Sequence, residues 1–301
     1  MIRAALVVLS LVFAIPATTH AFCRSLSVVS ASGSCMQPCL RLEDFSAEEI
    51  AERRIVELGW RRSCIEYVID ARDSVQLTEA EVEAIYERSV QTWMAVTCDG
   101  APIDFDVRMG PEPGLCDVPE YVSGGPNANT MAFVSNWSGR GHASGAFALT
   151  TTWFDTGSGE IYDADMEINQ QTWVFADCPD TGCEDDSVVD LQNTVTHELG
   201  HFFGLAHTPD DEDATMWACA DTGEIKKRTL EADDIDGLCS IYPPGSLPDE
   251  CDYTPRGGFD PLCRADRPKE DCGCSAPGLG GAPSAAWLSL GLLLFIRLRR
   301  R

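Results

Sequence analysis

Three of the five histidines in this 301-residue chain fall within residues 197–207, which read HELGHFFGLAH. His197 and His201 are four residues apart, so on a helix their side chains lie on the same face, one turn apart. Two neutral imidazoles in this arrangement can share one divalent ion such as Zn²⁺. Gly204 can adopt a positive φ, so the chain can turn sharply there and bring His207 back as a third nitrogen ligand. The pattern therefore predicts a helix that ends in a tight turn around a metal ion.

A zinc ion with three protein ligands keeps a fourth tetrahedral position for water, which is typical of catalytic rather than structural sites. Glu198 lies between the first two ligands in the sequence and is placed to hold that water. The alternative interpretation is an amphipathic helix whose histidines are buried only for packing. Gly204 and His207 stand at fixed offsets from the HExxH pattern, and this combination favours the catalytic site.

These residues resemble the metzincin signature, and those that follow resemble the matrixin (matrix-metalloproteinase-like) branch. Thr208 comes directly after the third histidine, and Met216 matches the methionine of the turn that lies beneath the metal in that family. Residues 229–242 are similar to the family's closing helix, and residues 60–97 to its opening strand and first helix. The resemblance therefore covers about residues 58–243, which we take as the metalloprotease domain.

The resemblance implies an α/β fold with a twisted, mostly parallel, five-stranded mixed sheet that carries an antiparallel edge strand. The active-site helix would lie behind the sheet, followed by the third-ligand turn, the Met-turn and a C-terminal helix. The implied function is a zinc-dependent endopeptidase in which the three histidines bind one catalytic Zn²⁺ and Glu198 is the general base. Gly204 and Met216 would be structural at the site, and the partners would be protein or peptide substrates.

Two other functions remain open at this point. One is a catalytically weak surface adhesin or binding protein that retains the zinc site, and the other is a zinc hydrolase that acts on a non-peptide amide. The intact Glu198 favours the peptidase over the adhesin. The loop of residues 217–227, which would form the wall of the specificity pocket, does not reveal the substrate.

We predict that the strand bordering the substrate cleft is formed by residues 145–154, GAFALTTTWF. By the resemblance to matrixins, the substrate backbone would pair with Ala146, Phe147, Ala148 and Leu149 as an added strand. The alternative is an ordinary interior strand.

Within residues 159–169, polar and apolar side chains alternate from residue 163 to residue 169. Asp163, Asp165, Glu167 and Asn169 would share one face of a strand. A row of like charges is costly unless water or a cation screens it. Asp163 and Asp165 stand where the resemblance implies bound Ca²⁺, and the alternative is a plain solvent-facing row.

Capping patterns predict the helices that would position the histidines. Thr78 with Glu81 predicts the start of an amphipathic helix, and Ser187 with Asp190 predicts the start of the active-site helix. Apolar residues at helical spacing would pack both helices against the sheet.

Residues 1–21 predict a secretion signal, with Arg3 before an apolar run and a small-residue cleavage site that ends at Ala21. Export agrees with the 14 cysteines, because an oxidising compartment favours disulfides. Cys178 and Cys183 bracket a turn sequence and could close a small loop. No other pairing follows from the sequence.

The regions that flank the proposed domain differ from it in composition. Residues 22–57 form a cysteine-containing N-terminal segment and could be a short propeptide, although they lack the expected inhibitory motif. Residues 244–275 are rich in Pro, Gly and Cys and predict a linker. Residues 276–301, an apolar stretch with an arginine tail, resemble the myxobacterial type of C-terminal sorting tag. The alternative for this last segment is a permanent membrane anchor.

The chain carries 48 acidic against 22 basic residues and a formal net charge of −26. Such a surface repels nucleic acid and anionic lipid, which argues against both as partners of the folded part. We expect a monomer whose membrane contact is limited to the C-terminal segment. The expected location is the cell surface, the outer envelope or the extracellular space.

Overall fold

The structure is a computed structural model that describes residues 22–28 and 38–267. The predicted secretion signal (1–21) and sorting segment (276–301) lie outside the described residues. Within those residues, every helix is too short or too polar to cross a bilayer.

The described residues form strands and helices that we number in chain order. The strands are β1 (Cys23–Arg24), β2 (Cys64–Asp70), β3 (Thr97–Cys98), β4 (Ala101–Pro102), β5 (Asp106–Met109), β6 (Asn129–Val134), β7 (Ala148–Phe154), β8 (Ile161–Asn169), β9 (Val174–Ala176), β10 (Val188–Asp190) and β11 (Leu205–Ala206). The α-helices are α1 (Ala47–Arg53), α2 (Glu79–Met94), α3 (Leu191–Phe202) and α4 (Ala232–Ile241). Short 3₁₀ turns occur at Leu42–Asp44, Ser138–Arg140 and Lys226–Arg228.

The central sheet has five strands in the order β5-β2-β6-β8-β7. The first four are parallel to one another, and β7 pairs antiparallel with β8 at the edge. This arrangement confirms the predicted α/β fold with a mixed sheet. Strand β6 is buried along its whole length, which explains why its sequence, NTMAFV, reads as a nearly continuous apolar run.

Helix α2 fixes the position of α3 across the core. It begins as predicted, because the Thr78 side chain accepts a hydrogen bond from the backbone N–H of Glu81, whose carboxylate reaches back to Thr78. Its buried face holds residues at helical spacing: Val82, Ile85, Tyr86, Ser89, Val90 and Trp93. The Trp93 indole N–H donates to the Thr196 carbonyl in α3 over 2.9 Å. This bond links α2 directly to the helix that carries the histidines.

The predicted start of α3 at Ser187 is wrong. The N-cap is Asp190, whose carboxylate accepts the backbone N–H of Asn193 over 2.7 Å. The preceding residues, Val188–Asp190, form β10 and pair in parallel with β9. Asp190 was assigned to the helix as the acidic partner of Ser187, but a single aspartate can cap a helix without such a partner.

Residues 244–267 are held against the domain, although they belong to the segment predicted as a linker. Disulfides join Cys251 to Cys64 and Cys263 to Cys116. The Arg62 guanidinium donates to the Thr254 carbonyl over 2.8 Å. The segment lacks hydrophobic periodicity because covalent bonds and backbone contacts, rather than an apolar face, hold it in place. The predicted Cys178–Cys183 disulfide is confirmed.

We expect the long-range disulfide to stabilise the fold more than the local one. Replacing Cys64 and Cys251 with alanine should lower the free energy of unfolding by about 5 kcal/mol, because this bridge spans a sequence separation of 187. The matched change at Cys178 and Cys183, separated by 5 positions, should cost about 2 kcal/mol. Guanidinium denaturation measures both losses, and a smaller loss for the long bridge would contradict this ranking.

Candidate metal centre

The three predicted histidine ligands come together in the structure. One ring nitrogen from each of His197, His201 and His207 lies within 4.8 Å of the others. The ring centroids are 5.0–5.3 Å apart. All three side chains are buried. Within residues 22–28 and 38–267, no other group of three His, Cys, Asp or Glu residues converges in this way.

Helix α3 and the turn after it produce this convergence. His197 and His201 lie one turn apart on a helix whose residues are all buried, so neither ring can swing into solvent. Gly204 adopts φ +96°, as the sequence predicted. A Cβ atom at this position would lie 2.7 Å from the Leu58 carbonyl oxygen, so a side chain is excluded by contact as well as by φ. The turn then returns the chain to place His207 beside the helix.

Backbone carbonyls set the orientation of two of the rings. His197 Nδ1 lies 2.5 Å from the Thr215 carbonyl oxygen, and His201 Nδ1 lies 2.8 Å from the Leu205 carbonyl oxygen. A carbonyl can only accept, so each Nδ1 carries the proton and each Nε2 keeps a free lone pair. Both Nε2 atoms are buried without a hydrogen-bond partner, as are both ring nitrogens of His207.

Burial also keeps the rings in the form that binds metal. It lowers the pKa of His201 to about 4 and holds the pKa values of His197 and His207 well below their usual range. Neutral imidazoles with unpartnered, converging nitrogens fit a tetrahedral Zn²⁺ site with three protein ligands. These residues therefore fit the metal that the sequence pattern implies.

Glu198 is fully buried beside the histidines. Its Oε2 accepts a hydrogen bond from the Thr150 hydroxyl over 2.7 Å, whereas its Oε1 has no hydrogen-bond partner. Burial raises the pKa of Glu198 to about 7, although the Thr150 hydrogen bond acts in the opposite direction. A carboxylate with one free oxygen and this pKa can both accept and release a proton near neutral pH.

Met216, which is predicted to lie beneath the metal, packs against the helix that carries the histidines. A Cβ atom added to Gly200 would lie 2.1 Å from the Met216 sulfur, so this glycine is what allows the methionine to approach α3. Asp234, near the start of α4, anchors the turn, because its carboxylate accepts the backbone N–H groups of Thr215 (2.8 Å) and Met216 (2.9 Å). Sequence reasoning missed Gly200 and Asp234, since neither residue type indicates a contact with a distant turn.

Lys227 is a third residue whose role the sequence does not indicate. It is fully buried, and its amine donates to the carbonyls of Thr215 and Trp217, on either side of Met216. The same Thr215 carbonyl orients His197. Burial lowers the pKa of Lys227 to about 7. Nothing in the local sequence, GEIKKRT, distinguishes this lysine from an exposed one.

The N-terminal segment supports the third-ligand turn. Strand β1 pairs antiparallel with β11, which lies between His201 and His207. The Ser25 hydroxyl donates to the Leu205 carbonyl over 2.9 Å, and that carbonyl also orients His201. Residues 22–28, within the segment that could be a propeptide, therefore brace the metal centre directly.

The acidic row of β8 is buried, so the expectation that it could be a plain solvent-facing row is wrong. Glu167 pairs with Arg140 over 2.6 Å. Asp165 accepts backbone N–H groups from Thr130 and Glu120. Both carboxylate oxygens of Asp163 are buried without a hydrogen-bond partner. Glu167 and Asp165 thus have partners within the protein, and Asp163 is the exception.

The residues predicted to bind substrate lie at the edge of the sheet. Ala148 and Leu149 open β7, and Ala146 and Phe147 precede them directly. Strand β7 pairs with β8 on one side and ends the strand order on the other. All four side chains are buried, so their backbone is the part that could engage a further strand.

Comparison with known proteins agrees with this geometry. Residues 132–243 match the family model described as Matrixin. The chain is 25% identical over 188 residues to Metalloendoproteinase 1-MMP of Arabidopsis thaliana. This alignment covers 62% of this chain and 44% of that protein. The chain is 25% identical over 218 residues to Metalloendoproteinase 2-MMP of the same plant, and this alignment covers 68% of this chain and 50% of that protein. It is 24% identical over 189 residues to Interstitial collagenase of Bos taurus, and this alignment covers 63% of this chain and 34% of that protein.

The aligned region therefore spans half or less of each of these relatives. Residues 132–243 are thus similar to the Matrixin family, and the histidine triad lies within this matched region.

We expect the buried amine of Lys227 to make stability depend on pH. Its pKa is about 7 in the folded protein and 10.5 in an exposed lysine, so the unfolded chain binds more protons between these pH values. The free energy of unfolding should therefore rise with pH in this window, by roughly 2 kcal/mol between about pH 7 and pH 9. Urea denaturation of the wild type and of Lys227→Met measures the effect. A parallel pH dependence in the two proteins would contradict this assignment.

Proposed function

We propose that this protein is a zinc-dependent endopeptidase that is exported and either secreted or displayed at the cell surface. The main support is the convergence of three buried, neutral imidazoles beside a buried carboxylate with one free oxygen. Such a group of polar side chains is costly to bury unless it binds a cation or takes part in chemistry. The similarity to matrixins agrees with this function.

Zn²⁺ would be held by His197, His201 and His207 and, when bound, would supply Lewis acidity toward water and the scissile carbonyl. Glu198 would accept the proton of the attacking water at Oε1 and deliver it to the leaving amine. Gly204 would shape the turn that brings in the third ligand. Met216 would form the floor beneath the ligands without taking part in the chemistry.

Peptide substrates would bind as an added strand beside the backbone of residues 146–149. Strand β7 ends the sheet order, and the backbone of residues 146–149 precedes and opens it. Recognition through backbone hydrogen bonds would tolerate many substrate side chains. We expect the protein to act as a monomer on protein or peptide substrates.

The adhesin alternative requires a site that holds zinc without effective catalysis. The position of Glu198 argues against it, because the carboxylate is held by Thr150 on one oxygen and left free on the other. A purely structural zinc site has no need of a poised carboxylate. A non-peptide amide substrate would use the same residues and is distinguished only by experiment.

The proposed location follows from the cysteines and the terminal segments. Disulfides among the described residues suggest export. We propose that residues 1–21 direct export and that residues 276–301 act as a sorting tag or an anchor at the cell surface.

Ca²⁺ bound at Asp163, next to Asp165, is a separate proposal. Its support is the pair of buried Asp163 oxygens that have no hydrogen-bond partner. Burial and the neighbouring Asp165 carboxylate raise the pKa of Asp163, and a bound cation would offset both effects.

Replacing Glu198 with alanine should abolish proteolysis while zinc is retained. We expect the rate of casein or gelatin cleavage to fall by about 100-fold or more, because the general base is lost while the three ligands remain. Zinc content by elemental analysis and cleavage by a gel assay measure the two properties.

The matched control is the wild-type protein treated with a zinc chelator, which should also lose activity and should recover when zinc is restored. Unchanged cleavage by a zinc-loaded Glu198→Ala protein would exclude Glu198 as the base. A wild-type protein that holds zinc but cleaves no protein would instead favour the adhesin.

Addition of Ca²⁺ to the zinc-loaded protein should raise its melting temperature by about 5 °C at saturating concentration, since the ion binds only the folded state. The Asp163→Asn variant should show no such shift. An equal shift in both proteins would place any calcium elsewhere.

A further inference from the structure

We propose that Thr150 is a positioning residue for Glu198, and that its hydroxyl fixes the orientation of the carboxylate so that one oxygen is left available for proton transfer. This inference rests on the proposed function, because it assigns a role within the same site.

The Thr150 hydroxyl is the one described side-chain group that holds the Glu198 carboxylate. Its Oγ1 lies 2.7 Å from Glu198 Oε2 and 3.3 Å from the Glu198 backbone oxygen. A hydroxyl has a single proton to donate. The shorter distance and the charge on the carboxylate both direct that proton to Oε2, where it makes a charge-assisted hydrogen bond.

This bond makes the two carboxylate oxygens different. Oε2 is engaged by Thr150, whereas Oε1 is buried with no hydrogen-bond partner. Turning the carboxylate about the last bond of the Glu198 side chain would break the bond to Thr150, and a complete half-turn would only exchange two equivalent oxygens. The carboxylate is therefore held with Oε1 as the free acceptor.

The backbone around Thr150 keeps its hydroxyl in place. The residue lies within β7 and is fully buried, and its β-branched side chain has restricted rotation in a strand. It directly follows residues 146–149, which are proposed to pair with the substrate. One strand would thus align the substrate backbone and fix the orientation of the base.

Thr152 offers a matched control on the same strand. It lies two residues beyond Thr150, so its side chain points to the same face of β7. Its Oγ1 is also buried, but it has no hydrogen-bond partner. Replacing it with valine removes a buried hydroxyl of the same kind without removing a contact to Glu198.

The test compares Thr150→Val, Thr150→Ser and Thr152→Val with the wild type, each as the zinc-loaded full chain. Cleavage of a fluorogenic peptide taken from a casein cleavage site gives kcat and KM, and elemental analysis gives the zinc content. We expect Thr150→Val to lower kcat by about 10- to 100-fold with KM within about twofold and zinc retained. Thr150→Ser should restore most of kcat, and Thr152→Val should match the wild type.

Crystal structures of the three variants add a readout that does not depend on activity. The Glu198 carboxylate should rotate in Thr150→Val and keep its orientation in Thr150→Ser and Thr152→Val. An unchanged orientation in Thr150→Val would overturn the proposal. Equal loss of kcat in both valine variants would also overturn it, because such a result would reflect strand packing.

The proposed function can fail separately from this inference. If the wild type cleaves no peptide faster than Glu198→Ala does, the endopeptidase assignment fails. The orientation of Glu198 in the crystals would still decide whether Thr150 positions the carboxylate.

Discussion

The metal centre depends on two backbone carbonyls that hold imidazole Nδ1–H groups. The carbonyls of Thr215 and Leu205 fix the rings of His197 and His201 and so aim both Nε2 atoms inward. A backbone carbonyl keeps its direction only if its peptide group is held in place. Further hydrogen bonds hold the peptide groups of both carbonyls. Asp234 and Lys227 secure the first, and the N-terminal strand secures the second. N-terminal and C-terminal parts of the described chain therefore both help to orient the histidine rings. A metal site requires such orientation as well as the correct ligand residues.

The same region concentrates buried polar groups that would otherwise destabilise a fold. Three imidazoles, the Glu198 carboxylate and the Lys227 amine are all fully or almost fully buried. Burial removes these groups from water and shifts the pKa of each in the direction that favours the neutral form. The surrounding structure must hold this arrangement, and disulfides that join distant parts of the chain contribute to that. Functional centres are typically destabilised locally by their buried polar groups, and the rest of the fold offsets this loss of stability.

Sequence alone predicted the features that local rules determine. Helix geometry and backbone sterics determine the spacing of the histidines, the positive φ at Gly204 and the capping of α2 by Thr78. The sheet was predicted from the resemblance to matrixins. Thr150 and Lys227 were missed, because their roles arise from contacts across 48 and 12 residues that no local pattern encodes. The packing of residues 244–267 was missed for a related reason, since disulfide pairing cannot be read from cysteine positions.

X-ray absorption at the zinc edge of the zinc-loaded protein tests most directly whether three imidazoles share one metal ion. The structure predicts a first shell of three nitrogen ligands with imidazole scattering and one oxygen, at about 2.0–2.1 Å. Each of three single variants, with His197, His201 or His207 changed to alanine, should remove one imidazole from that shell. A shell that contains sulfur, or one that a histidine variant leaves unchanged, would contradict the account of this site.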